Sequence, residues 1–233
     1  MARPVQDRAE AILTAAREHF LLEGPERTTV DAVAARAGVG KGTVFLYWPT
    51  KARLHDAVLQ LEAAALLTSL ADELRSGATR LSIAHVVRRE IAAVLAIPGL
   101  AAQRLGEPGG PAGSDDFPGP ALHRIISIMQ AHSLVHDTPT AEIVTAFQTV
   151  MSGSVVLGLA EPERQGVILD AAERLVGSTY DRRDADPADV AAALPKVLDA
   201  LEDAVDQLVE NAAPDRPTTA ALRPRERPAT TPA

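Results

Sequence analysis

The chain has 233 residues, 46% of them hydrophobic, no cysteine and a formal net charge of −8. This length and composition suit one large or two small domains with a real core. The missing cysteine excludes disulfides, thiolate catalysis and every cysteine-ligated metal site.

The N-terminal stretch MARPVQDRAEAILTAAREHF puts Arg3, Asp7, Arg8 and Glu10 ahead of its apolar residues. That is not the apolar core of a secretory signal, so a cytoplasmic protein is expected. A first helix is predicted over Asp7–Leu22, where Ile12, Ala16 and Phe20 fall four apart and Gly24-Pro25 supplies the stop. A second begins at Thr28 or Thr29. Thr28 and Asp31 have capping-box spacing, and Val30, Val33, Ala34 and Ala37 follow at helical intervals until Gly38. A short third helix, Lys41–Trp48, ends at Pro49, and a fourth, capped by Thr50, runs to Arg75. At 1.5 Å per residue the fourth is about 38 Å long, enough to leave one domain and enter another.

Further helices are predicted over Leu81–Ala96, Ile97–Leu105, Pro120–His136, Thr140–Ala160 and Glu163–Val176. The stretch from Gly106 to Pro120, GEPGGPAGSDDFPGP, reads as a mobile loop, and Thr179–Pro187 as a polar break. A last helix starts near Pro187, capped by Asp186, and reaches Asn211, with a kink or restart expected at Pro195. From Pro214 the chain is proline-rich and polar and is expected to be disordered. No segment reads as a strand, so the fold class is all-α. The window Ala141–Ala160 is long enough to span a membrane. It contains Glu142, Gln148, two serines, two threonines and two glycines, which fits a helix buried against protein better.

Charge is uneven along this layout. Residues 1–54 hold eight basic and six acidic residues, residues 55–213 hold eleven and 23, and residues 214–233 hold four and two. A mildly basic head on an acidic body suggests that the head alone meets a polyanion. An acidic surface that serves only solubility is the plain alternative.

The segment GVGKGTVFLYWPTK, Gly38 to Lys51, admits two chemistries. A phosphate-binding loop needs a glycine four residues before Gly-Lys-Ser/Thr, between a strand and a helix. Here the earlier position is Ala35, the residue after Lys41 is Gly42, and the preceding segment is helical. The other reading is a helix-turn-helix, whose second helix enters the DNA major groove. Gly38 makes the turn, Val39 fills the angle, and Val44 and Trp48 face the core. Lys41, Gly42, Thr43, Phe45, Leu46 and Tyr47 are left nearer the outside. Phe45, Leu46 and Tyr47 either read DNA or simply pack. Lys51 sits at a helix start, where the dipole disfavours a cation; a nearby phosphate would explain it.

TTVDAVAARAGVGKGTVFLYWPTKARL resembles the N-terminal signature of the TetR family of bacterial transcriptional regulators, and AEAILTAAREHFLLEG resembles the family's first helix. The resemblance covers residues 7–58. It implies a three-helix DNA-binding head over residues 1–52, a larger ligand-binding and dimerisation domain over 53–213, and a tail over 214–233. It implies a homodimer that pairs through its last two long helices, binds a palindromic operator on double-stranded DNA and responds to a small-molecule effector. Such a chain has no catalytic role and needs no cofactor. A repressor is the expected form; an activator of the same fold and a protein-interaction module without DNA readout stay open. Carried over by residue, Lys41 and Gly42 meet bases, and Thr28, Thr29, Thr43, Tyr47 and Lys51 meet phosphate or sugar. Phe45 and Leu46 face the groove. Phe45 departs from the family's usual tyrosine and loses a hydroxyl, though it can still touch a thymine methyl.

In the body, Ile126, Met129, Phe147 and Met151 are candidates to line an apolar pocket, with His85, His123 and Gln148 as polar handles. Core packing is the competing reading for each. His132 and His136 have the i, i+4 spacing of a zinc pair but lack an evident third ligand. No metal site and no membrane association is expected.

Overall fold

Three glycine, threonine and proline signals define the first four helices. The computed structural model describes residues 5–77, 79–97 and 119–215; the expected helix beyond Ile97, most of the 106–120 loop and residues 216–233 lie outside them. Helices α1 (Val5–Glu23), α2 (Val30–Ala37) and α3 (Lys41–Tyr47) form the head, and α4 (Lys51–Arg75) leads out of it. Thr29, not Thr28, caps α2: its hydroxyl accepts the Ala32 N–H at 3.2 Å. The Thr28–Asp31 capping box is therefore not formed. Thr28 is buried instead, and its hydroxyl donates to the Gly24 carbonyl at 2.9 Å. Gly38 takes the left-handed conformation, φ 69°, and its N–H closes on α2. A side chain would be strained there. Thr50 caps α4 by accepting the Arg53 N–H at 3.0 Å.

The head has its own core. Ile12, Ala16 and Phe20 of α1 meet Val33, Val44, Trp48, Leu54 and Val58, and Ala212 joins them from the other end of the chain. Arg17 spans α1 and α4 with a fork onto Glu62, one arm 3.1 Å long.

The body continues with α5 (Ile83–Ala96), α6 (Gly119–Ala131), α7 (Thr140–Ala160), α8 (Gln165–Tyr180) and α9 (Pro187–Ala212). The described residues contain helices and turns and no strand beyond one isolated bridge, Val135 to Asp181. That bridge explains a departure from the sequence reading. Helix α6 stops at Ala131, five residues before the expected His136, because Ser133 turns left-handed, φ 54°. The Leu134 N–H then bonds back to Met129, and Arg182 donates to Leu134 at 2.9 Å. Helix α8 runs four residues past its expected end, to Tyr180, whose carbonyl accepts the His136 N–H.

Helix α9 returns antiparallel along α4. It does not restart at Pro195. The proline removes one N–H from the ladder, but Ala193, Val197, Ala200 and Leu201 bury on both sides of it and hold the helix through. Helices α5, α7 and α8 pack together beside this pair. Gly158 allows the close approach of α7 to α5: a Cβ there would lie 2.7 Å from Leu95. Among the described residues, α7 is long and apolar enough to cross a membrane. Its Ile143, Phe147, Met151 and Val155 are buried in the body core.

Candidate nucleic-acid interface

Helix α3 has two sharply different faces. Val44 points inward with Tyr47 and Trp48, and the Tyr47 and Trp48 rings stack with centroids 5.8 Å apart. On the outer face Lys41 and Gly42 are exposed, Thr43 is half-buried, and Phe45 and Leu46 are 38% and 45% exposed. Five of the expected contact residues therefore share one outward surface. Tyr47 does not: the expectation that it faces outward is corrected, since it is 6% exposed and closes the head core. Tyr47 lies three residues after Val44, so the two side chains share the inward face of the helix.

Residues 12–58 match the family described as bacterial regulatory proteins, tetR family. Those residues are a TetR-family head. An HTH-type transcriptional regulator of Bacillus subtilis strain 168, YhgD, is 42% identical over 52 residues, 22% of this chain and 27% of the relative. The match thus spans about a quarter of that relative's length. A tetR family transcription regulator from Shewanella sp. PV-4 is 21% identical and covers 76% of this chain and 99% of its own, at a TM-score of 0.48. A tetR-family regulator from Streptomyces coelicolor is 17% identical over 97% of this chain and 94% of its own, at 0.43. The nucleotide-loop reading of Gly38–Thr43 fails on the structure itself, because the segment that precedes Gly38 is helix α2 and not a strand.

In this head Thr28, Thr29, Lys41 and Lys51 are already engaged. Lys41 Nζ lies 2.7 Å from Asp31 Oδ2, an exposed pair across the α2–α3 turn. Thr29 spends its hydroxyl on the α2 cap and Thr28 is interior. Lys51 Nζ donates to the carbonyls of Pro25, at 2.8 Å, and Thr28, at 3.3 Å. Two loop carbonyls thus offset the unfavourable helix dipole at Lys51, a partner not foreseen from its position. Arg53 was not singled out in the sequence either. Its guanidinium donates to Asn211 O at 2.7 Å and Ala213 O at 3.0 Å. A partner 158 residues away leaves no local signal.

The body candidates separate differently. Ile126, Met129, Phe147 and Met151 are buried within the body core cluster. His123 and Gln148 lie on the exposed surface and are not polar handles of an interior pocket. His85 borders a cleft, with its ring nitrogen 3.1 Å from Glu73. His132 and His136 do not share a helical turn, because α6 has ended. His132 Nε2 instead accepts from Lys196 Nζ at 2.9 Å.

Proposed function

We propose that the protein is a cytoplasmic, homodimeric transcriptional repressor that binds a palindromic operator through α3 and is released by a small effector. The observation that carries the reading is the outward face of α3: Lys41, Gly42 and Thr43 beside the exposed pair Phe45 and Leu46. Lysine supplies phosphate neutralisation or a donor to guanine, glycine lets the backbone approach, and the apolar pair suits thymine methyls. The charge contrast supports the same orientation, since residues 55–213 carry 23 acidic against eleven basic residues and would turn away from DNA.

In this reading the domains are the head at 1–52, the effector and dimer domain at 53–213 and a tail at 214–233. Helix α4 crosses the first boundary without a break, and the head core borrows Leu54, Val58 and Ala212 from beyond it. Dimerisation falls to α7 and α8 rather than to the final helix. Those two carry exposed Val156, Leu157, Val167 and Leu175, whereas α9 is packed along α4 and shows Glu202, Asp203, Asp206 and Glu210 to solvent. An effector acts by favouring one spacing of the two heads, which must sit about 34–36 Å, or a multiple, apart.

The test is fluorescence anisotropy with DNA fragments flanking the protein's own gene. A palindromic fragment should bind, and Lys41→Ala should weaken it about tenfold and lower the salt slope by about one. The exposed Phe45–Leu46 pair favours one second reading, a protein-docking head. Absence of binding to any fragment, with binding partners lost in Leu46→Asp, would establish that instead.

A further inference from the structure

A cleft of about 1150 Å³ opens at the end of the body far from the head. It lies where α4 ends, at Leu74 and Gly77, and where α9 begins, at Val190 and Leu194. Its apolar wall is Leu74, Leu81, Leu134, Val190 and Leu194. Its polar side is basic. Arg80, Arg174, Arg182 and Arg183 border it, four of the eleven basic residues that residues 55–213 possess.

The two carboxylates at the cleft are already occupied. Glu173 pairs with Arg88 at 3.0 Å. Asp181 accepts the N–H groups of Ile83, at 2.8 Å, and Ala84, at 3.1 Å, at the start of α5. Arg182 is taken by Asp184 at 2.9 Å. Arg174 and Arg183 make no hydrogen bond or ion pair among the described residues, and Arg80 is only in the longer-range field of Asp181. Three guanidinium groups are thus available beside an aliphatic wall, on a body whose net charge otherwise repels anions.

We propose that this cleft binds a small anionic amphiphile, with an aliphatic portion on Leu74, Leu81 and Leu194 and a carboxylate or phosphate head among Arg80, Arg174 and Arg183. Guanidinium forks match both head groups with paired hydrogen bonds. An apolar wall with a few convergent polar groups is the usual anatomy of a small-molecule site. The position gives the ligand leverage. The cleft is bounded by the far ends of α4 and α9, and the near ends of both are built into the head: Leu54 and Val58 from α4, Ala212 from α9. For that regulatory consequence, though not for binding, the proposal rests on the reading of the protein as a regulator.

Calorimetry on the full chain tests it, with octanoate, octyl phosphate and neutral 1-octanol as probes. Both anions are expected to bind about tenfold or more tightly than octanol. Their ratio distinguishes a carboxylate from a phosphate ligand. The double variant Arg80→Gln/Arg174→Gln should lose about tenfold for the anions and nothing for octanol, with its helical circular dichroism and unfolding midpoint retained. Equal affinity for octanol, unchanged anion binding in the variant, or no heat from either anion up to its solubility overturns the proposal. Operator binding measured separately without probe keeps the two readings apart: a chain that binds octanoate but no DNA retains this site and loses the regulator.

Discussion

The indole nitrogen of Trp48 donates to the carbonyl of Ala212, 3.4 Å away across 164 residues of sequence. The contact belongs to a small joint. Ala212 is buried in the head core, Arg53 holds Asn211 and Ala213, and the Asp215 N–H donates to Tyr47 O at 2.8 Å. The end of α9 therefore braces the C-terminus of α3, so the stability of the head depends on the last helix of the body. Ala212→Leu should overpack this site and cost about 1–3 kcal/mol in denaturant unfolding. The chain has one tryptophan, so the emission of Trp48 reports the joint directly. Its maximum should shift in Ala212→Leu and stay put in Ala213→Leu, whose side chain is exposed.

Asp31 competes with DNA for Lys41. The pair is exposed on both sides, 51% and 67%, so it is worth at most about 1 kcal/mol. To reach a phosphate or a guanine, Lys41 has to leave it. Asp31→Asn should accordingly tighten operator binding by up to about fivefold and leave the unfolding midpoint almost unchanged. Weaker binding in that variant would mean that Asp31 orients Lys41 for DNA instead of restraining it.

Most of the head was legible because its signals are local. Gly38, Thr50 and Pro49 act on the chain within a few residues, and the helices they bound fall close to their expected ends. What stayed hidden was decided at a distance. Thr28 and Thr29 offer the same hydroxyl, and burial chose between them. Ile126, Met129, Phe147 and Met151 have the same chemistry whether they line a hollow or fill it, and their joining of one buried cluster is set by helices far apart in sequence. The arginine-bordered cleft is assembled from two helix ends, an α8 face and the loops at residues 79–82 and 181–185, so no periodic pattern announced it.

Arg17 and Glu62 tie α1 to α4 through a part-buried fork, with Glu62 the interior partner at 7% exposed. Removing the arginine leaves a carboxylate with little access to water. Arg17→Ala should therefore cost about 1–3 kcal/mol. Arg17→Leu/Glu62→Leu should recover most of it, because an apolar pair needs no compensation there. Urea unfolding of the two variants and the wild type decides this. A double variant as unstable as the single one would show that the packing of the stems, not the stranded charge, sets the cost.

His55 makes the head sensitive to acid. Burial is the main force lowering its pKa; Lys51 adds to that and Asp56 opposes it. Its ring meets Phe20 edge-on at 4.8 Å, and its Nε2 has no hydrogen-bond partner among the described residues. A histidine whose folded pKa lies below its unfolded value binds fewer protons when native, so stability rises with pH. The contribution is complete above the unfolded value of about 6.5 and is lost as pH falls through the folded one. Wild-type unfolding free energy should drop more steeply below pH ~6.5 than that of His55→Gln. Parallel curves would place the acid sensitivity elsewhere.

The exposed apolar face of α7 and α8 suits the proposed dimer contact. Val156 and Leu157 are each 51% exposed, and Val167 and Leu175 are 60% and 57%. On α8, Val167, Ala171 and Leu175 recur every four residues, so they form one stripe. On α7, Gly153, Val156, Leu157 and Ala160 form another, with small residues that let a second helix come close. Two such stripes on adjacent helices suit a two-fold pairing in which each α7–α8 pair meets its copy, a four-helix arrangement with the same patch on both sides. Leu157→Glu/Leu175→Glu puts like charges onto that patch. Sedimentation should show a dimer for the wild type and a folded monomer for the variant, and the monomer should lose affinity for a two-site operator while keeping that for a single half-site. A variant that remains dimeric would move the interface off α7 and α8.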